Sequence, residues 1–302
     1  MPNIWTHILF AEDLCLKLER EDLLATSERS LYLGAQGPDP FFYYNFWPKA
    51  SDHGVPEAGM QLHTMNCGDF LIEMIERGKS RKHNSQAYIL GFVSHHMLDR
   101  ITHPYIHYKS GYEGNKHQAL EVAIDTIMME KHRRLITWLT PVHPHINLSD
   151  QTVEEIESWL KPCIENHYDL DVPSSFIKKS FKDIVKAQRV LFDPYGYKNK
   201  LLGSAVSSFS HRPIIDDKDY LNMEQLMWRH SATNEVRRAS FEQLYAQALE
   251  EAYALYKEIL LYWSEDSHAR LETIKSMVQN ISYDTGLPLS LKAVNKYASP
   301  IV

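Results

Sequence analysis

Ser94-His95-His96-Met97-Leu98-Asp99-Arg100-Ile101-Thr102-His103-Pro104-Tyr105-Ile106-His107 is the stretch from which both fold and chemistry are read. His95, Asp99, His103 and His107 recur at every fourth position. Residues four apart stack on one face of a helix, so His95 and Asp99 project together with His103 close behind. Imidazoles and a carboxylate make a poor core stripe but a good ligand set for zinc or a similar divalent ion. Pro104 disfavours the helical conformation at the residue before it. A helix over about 85–103 is therefore predicted to end or bend there, turning His103 and His107 away from His95. A second pair at the same spacing, His117 and Glu121, falls on a helix predicted over about 115–140. Asp125 follows one turn later, readable either as an orienting partner for a ligand or as a solvated acid.

Working outward, the chain has 302 residues, enough for one large domain or two small ones with a sizeable core. Hydrophobic residues at 44% and charged residues at 24% are ordinary globular proportions. A net charge of -7 argues against a broad polyanion-binding surface, although a bound metal would still attract a phosphate. Histidine is the residue in excess: 16 in all, nine of them before position 118. The three cysteines, Cys15, Cys67 and Cys163, are too few and too scattered for a disulfide framework, which fits a reducing compartment. The residues ahead of His7 lack a basic region followed by a long apolar run, and no stretch approaches the roughly 18 apolar residues of a membrane span. The expectation is a cytoplasmic protein without a transmembrane segment.

Apolar periodicity predicts helices at about 4–25, 59–77, 150–168, 173–192, 238–263 and 266–280. The glycines and prolines of Leu31 to Pro40 predict a loop, with Asp39 held stiffly between two prolines. The aromatic run Phe41 to Trp47 reads either as core or as the lip of a substrate cleft. Residues 194–222 read as loop, and Met227 to Ser231 as a segment that could face a cleft. No run of alternating strand residues appears, so the class is all-α. His7 in the first helix, and His63 and Cys67 four apart in a later one, would taken singly be structural residues.

Several His and carboxylate groups this close together point to more than one metal. Two ions about 3.5–4 Å apart can share a carboxylate and a hydroxide, and that hydroxide is suited to attack a phosphodiester phosphorus. There is no glycine-rich phosphate loop and no G-x-S-x-G nucleophile signature. The early Thr6-His7, the Gly37-Pro38-Asp39 turn, His63, His95-x-x-x-Asp99-x-x-x-His103 and His117-x-x-x-Glu121, in that order, resemble the zinc-dependent phospholipase C family. That family is related to single-strand-specific zinc nucleases and to the catalytic domain of glycosylphosphatidylinositol-specific phospholipase D. The resemblance implies a single all-helical hydrolase domain over 1–302, with the ligand motifs in 1–125 and a helical remainder in 126–302, holding two or three zinc ions. It implies that Asp39, His63 and His95 hold one ion, that Asp99 bridges to a second to which His7 contributes, and that His103, His117 and Glu121 hold another. It also gives Asp39 the role of general base.

Two departures from the family pattern stand out. Secreted members commonly begin with a Trp whose free amine completes a zinc shell, whereas Trp5 lies inside this chain and offers only a peptide nitrogen. The spacing from Asp99 to His103 is shorter than in the bacterial phospholipases and closer to the phospholipase D branch. The expected activity is a metal-dependent phosphodiesterase of phospholipase C type acting on a phosphodiester, with a phospholipid the favoured class. The alternatives are a nuclease of the same chemistry, its aromatic residues stacking on bases, and a non-catalytic metal-binding helical protein. His and carboxylate donors also suit Fe, Mn or Ni.

Overall fold

The longest helix runs straight through Pro104. In the computed structural model, which describes residues 3–47, 49–265 and 267–302, this helix spans His83–Ser110 and is buried along most of its length. It is α5, and the other helices are arranged around it. α1 (Ile4–Lys17), α2 (Glu21–Gly34), α4 (Cys67–Gly78), α6 (Lys116–Arg133), α7 (Asp150–His167) and α11 (Phe241–Ser264) all pack on it. α3 (Val55–Thr64) and α8 (Phe176–Leu191) flank a 3-10 turn at Asp39–Tyr43. α9 (Tyr197–Leu202), α10 (Ser204–Ser207) and α12 (His268–Val278) complete the helices. The fold is all-α; its single two-stranded ribbon among the described residues pairs Trp228–Arg229 with Val236–Arg237.

A helix buried on all sides needs partners all round, and α5 meets α2 most closely. A Cβ added at Gly91 would lie 2.2 Å from the Leu31 carbonyl oxygen, and one added at Gly34 would lie 2.2 Å from that of Tyr88. The two glycines let the backbones nearly touch. This close crossing carries the turn after α2 over the His95 end of the motif. Gly37 in that turn has φ +51°, and a Cβ there would strike the His95 ring at 2.3 Å.

Several element boundaries differ from the sequence expectations. The helix expected over 4–25 breaks after Lys17, with Glu19 at φ 55°, and a second helix continues to Gly34. The helix expected over 59–77 is two, broken at Asn66 with φ 49°. The one expected to reach 140 stops at Arg133, with Arg134 at φ 52°. In each case a left-handed residue turns the chain where the apolar pattern runs on without interruption. The expected loop over 194–222 contains the two short helices α9 and α10. Residue 266, the first of the expected 266–280 helix, lies outside the described residues.

Pro104 does not end α5. The cost of proline in a helix interior, about 3 kcal/mol, is offset by packing beyond it. Tyr105 and Ile106 are fully buried, the Tyr105 hydroxyl donates to the Tyr220 carbonyl, and the Tyr105 ring meets Trp228 edge-on. His103 and His107 therefore stay in helical phase with His95 and Asp99.

Candidate metal centre

Each predicted ligand is placed by its own element. His7 comes from α1, whose first turn is pinned by Asp125. That carboxylate accepts from the backbone N–H groups of Trp5 (3.0 Å) and Thr6 (2.9 Å), and from the Thr6 hydroxyl. Asp125 is thus a buried helix-end anchor with His211 at 3.1 Å, rather than a solvated acid. Asp39 opens the 3-10 turn, His63 ends α3, and α5 supplies His95, Asp99 and His103. α6 supplies His117 and Glu121.

His7, His95 and His103 converge on Asp99. Its Oδ1 lies 3.4 Å from His7 Nε2, and its Oδ2 lies 3.0 Å from His95 Nε2 and 3.6 Å from His103 Nε2. Asp39 Oδ1 stands 3.3 Å from His63 Nε2 and 3.8 Å from His95 Nε2. Donors arranged tetrahedrally at about 2.0 Å from one zinc are about 3.3 Å apart, and these separations scatter around that edge. Most exceed an ordinary hydrogen bond. Neither oxygen of Asp99, neither nitrogen of His7 or His103, nor His95 Nε2 has a hydrogen-bond partner, although all are buried. Buried polar atoms are normally satisfied; here they face one another across an ion-sized gap. Of the four donor sets among the described residues with ligand atoms within 4.8 Å, three consist of the predicted residues: His7–His95–Asp99, Asp39–His63–His95, and His103–His117–Glu121. All eight predicted residues are brought together, and the residues present fit zinc.

The second nitrogens explain why the rings point inward. His95 Nδ1 donates to the Ala35 carbonyl (3.0 Å) and His63 Nδ1 to that of Gly59 (2.7 Å). A carbonyl only accepts, so the proton sits on Nδ1 and the Nε2 lone pair is left for a cation. The electrostatics agree. Burial by itself would raise the Asp99 carboxyl, but His103, His95 and His7 hold it well below the usual carboxylate range. Burial depresses His103 and His117 well below an ordinary histidine, keeping both imidazoles neutral and able to act as ligands. Glu121 is pushed well above its ordinary value by burial and by the nearby Asp39, Asp99 and Asp125 carboxylates. A bound cation would relieve that crowding of negative charge.

Asp39, His63, His103, His117 and Glu121 of the cluster line a cavity of about 490 Å³. Phe42, Tyr43, Met60 and Phe209 line its apolar side. The aromatic run is thus divided: Phe41 and Tyr44 are buried in the core, while Phe42 stacks on His63 and Tyr43 faces the cavity. Cys67 is a buried apolar filler, as its type suggested. The Met227–Ser231 segment does not line this cavity; its Trp228 is buried and donates to the Ala239 carbonyl.

A family model described as zinc dependent phospholipase C matches residues 6–174. The chain belongs to the zinc-dependent phospholipase C family. The match begins at the Thr6-His7 pair and takes in every predicted ligand of this phospholipase C relative. Membership implies a hydrolase, with a phospholipid or other phosphodiester as substrate. Comparison with curated proteins returned no match, and comparison with solved structures returned none. Among the described residues no helix of this family member is long and apolar enough to cross a membrane. The Trp5 backbone N–H donates to Asp125. Two residues at the cluster were not read from the sequence as ligands: His107, whose place in the four-residue repeat was the available signal, and Asp284, far away in a Ser-Tyr-Asp-Thr-Gly turn that carries none.

Proposed function

We propose that this protein is a zinc-dependent phosphodiesterase of phospholipase C type, working as one hydrolase domain over 1–302. It would cleave a phosphodiester that joins an apolar portion to a polar head group. The observation that carries this reading is a group of adjoining His-carboxylate sets, of which Asp39, His63, His103, His117 and Glu121 line a cavity together with Phe42, Tyr43 and Phe209. Asp39, His63 and His95 would hold one ion, Asp99 and His7 a second with Asp99 bridging, and His103, His117 and Glu121 a third. Bound there, two or three zinc ions would supply Lewis acidity toward the phosphate oxygens and a water ionised near neutral pH for attack on phosphorus.

The chain's own residues do the rest. The Ala35 and Gly59 carbonyls hold the protons of His95 and His63 on Nδ1, so these rings cannot turn their N–H toward the cluster. Asp39, with a buried oxygen lacking a hydrogen-bond partner at the cavity, is placed to take the proton of the attacking water. Phe42 and Tyr43 would cover the apolar portion of the substrate and keep bulk water out. The test is turnover by zinc-loaded protein on phosphatidylcholine vesicles, a soluble chromogenic phosphodiester and single-stranded DNA. Hydrolysis of the first two is expected. Stoichiometric zinc with no turnover on any of the three would overturn the reading in favour of a non-catalytic metal protein, and DNA cleavage alone would favour the nuclease.

A further inference from the structure

After α12 the chain doubles back in a short hairpin, bridged between Ile281 and Pro288, that docks on the metal ligands. The Tyr283 N–H donates to the His63 carbonyl (3.1 Å), and its ring touches those of His63, His95 and His96. His96 Nε2 donates to the Ile281 carbonyl at 3.0 Å. The docked hairpin brings Asp284 to the cavity wall, where its Oδ1 meets His107 Nε2 at 2.5 Å while Asn295 Nδ2 donates to its Oδ2. This segment lies beyond the region matched by the family.

His103 is shared by two donor sets of the same composition. One adds His117 and Glu121, the other His107 and Asp284, and in each set the ligand atoms lie within 4.8 Å of one another. The rings of His107 and His117 are 5.5 and 5.8 Å from His103 and 4.9 Å from each other, so the two sets adjoin. His103 is 3% exposed, and neither of its nitrogens has a hydrogen-bond partner. Leaving a buried polar atom unsatisfied is costly, so a histidine with two such atoms points to a ligand. Two imidazoles and a carboxylate suit the same divalent ion in either set.

We propose that His103, His107 and Asp284 form an alternative position for the cation that His103, His117 and Glu121 would otherwise hold, so that one ion has two equivalent donor sets sharing His103. The inference rests on the metal-dependent reading above. Its test is zinc content rather than activity: metal-free protein is titrated with zinc, desalted, and analysed for zinc per chain. Glu121→Gln and Asp284→Asn should each retain the wild-type number of ions. The double variant should hold one fewer, and replacing Asp284→Asn by His107→Gln in that pair should give the same result. Loss of an ion in Glu121→Gln alone, or full content in both double variants, would overturn the alternative position. A wild-type protein that binds no zinc would instead overturn the metal-dependent reading itself, and this proposal with it. Circular dichroism of each variant separates loss of the ion from loss of the fold.

Discussion

At Asp99 two carboxylate oxygens meet three imidazoles with no water-exposed face. Asp99→Asn keeps the shape and removes the charge that, on the proposed reading, would bridge two ions. Its activity should fall by at least about a hundredfold, with at least one zinc lost per chain; full activity with unchanged zinc would remove the bridging role. A different histidine shows the opposite use of the side chain. His230 Nδ1 accepts from the N–H groups of Ala232 and Thr233, and burial followed by nearby Arg237 lowers its pKa from 6.5 to about 4. Between those values the unfolded chain binds the proton and the folded chain does not. Stability from this residue is therefore present above pH 6.5 and drains away as the pH falls through 4, by about 2–3 kcal/mol in all. His230→Asn keeps an acceptor without the titration and should show a shallower acid slope in denaturant melts at pH 4–7; an unchanged slope would exclude His230 as the source. Among the candidate ligands, His95, Asp99, His117 and Glu121 were legible in their spacing, which survives in the fold, whereas His7, Asp39 and His63 came only from the family resemblance. Asp284 was not legible, because a single carboxylate in a turn has no periodicity to betray what it meets.

At the scale of elements, α5 governs the site through its crossing with α2. Gly91→Ala would drive a methyl group to 2.2 Å from the Leu31 carbonyl and 2.6 Å from the Ala35 nitrogen. Because Ala35 also accepts the His95 proton, the substitution should cost about 3 kcal/mol and lower zinc affinity together. A variant melting with the wild type would show that the two helices can part freely. The helical class and the motif helix were readable from apolar periodicity. The stops at Glu19, Asn66 and Arg134 were not, since left-handed turns at non-glycine residues leave no compositional mark. Pro104 misled in the other direction: local backbone preference argued for an end at His103, and the burial of Tyr105 and Ile106 outweighed it.

For the molecule as a whole, the donors belong to four helices and a 3-10 turn, so an ion bound among them would tie these elements together at the cavity. Any ion that binds only the folded chain adds stability by mass action, about 2.7 kcal/mol at a hundredfold excess over Kd. Removing metal with a chelator should therefore lower Tm by about 5 °C or more, and added zinc should restore it. A Tm indifferent to both would leave the cluster without a structural cation. The far end of the chain closes this arrangement. Besides the Tyr283 hairpin, the Ser299 and Ile301 N–H groups donate to the Tyr108 and Lys109 carbonyls at the end of α5, and those of Lys296 and Tyr297 donate to Ser231. His7 and Tyr283 thus meet the same cluster from opposite ends of the sequence. On a ribosome, the first of these residues waits in solvent until nearly all the others have been made, and contacts of such long separation form slowly. A nascent chain therefore exposes several histidines of the cluster before it can close a site around them, so an ion bound there would be expected to load after synthesis, once the last hairpin has docked.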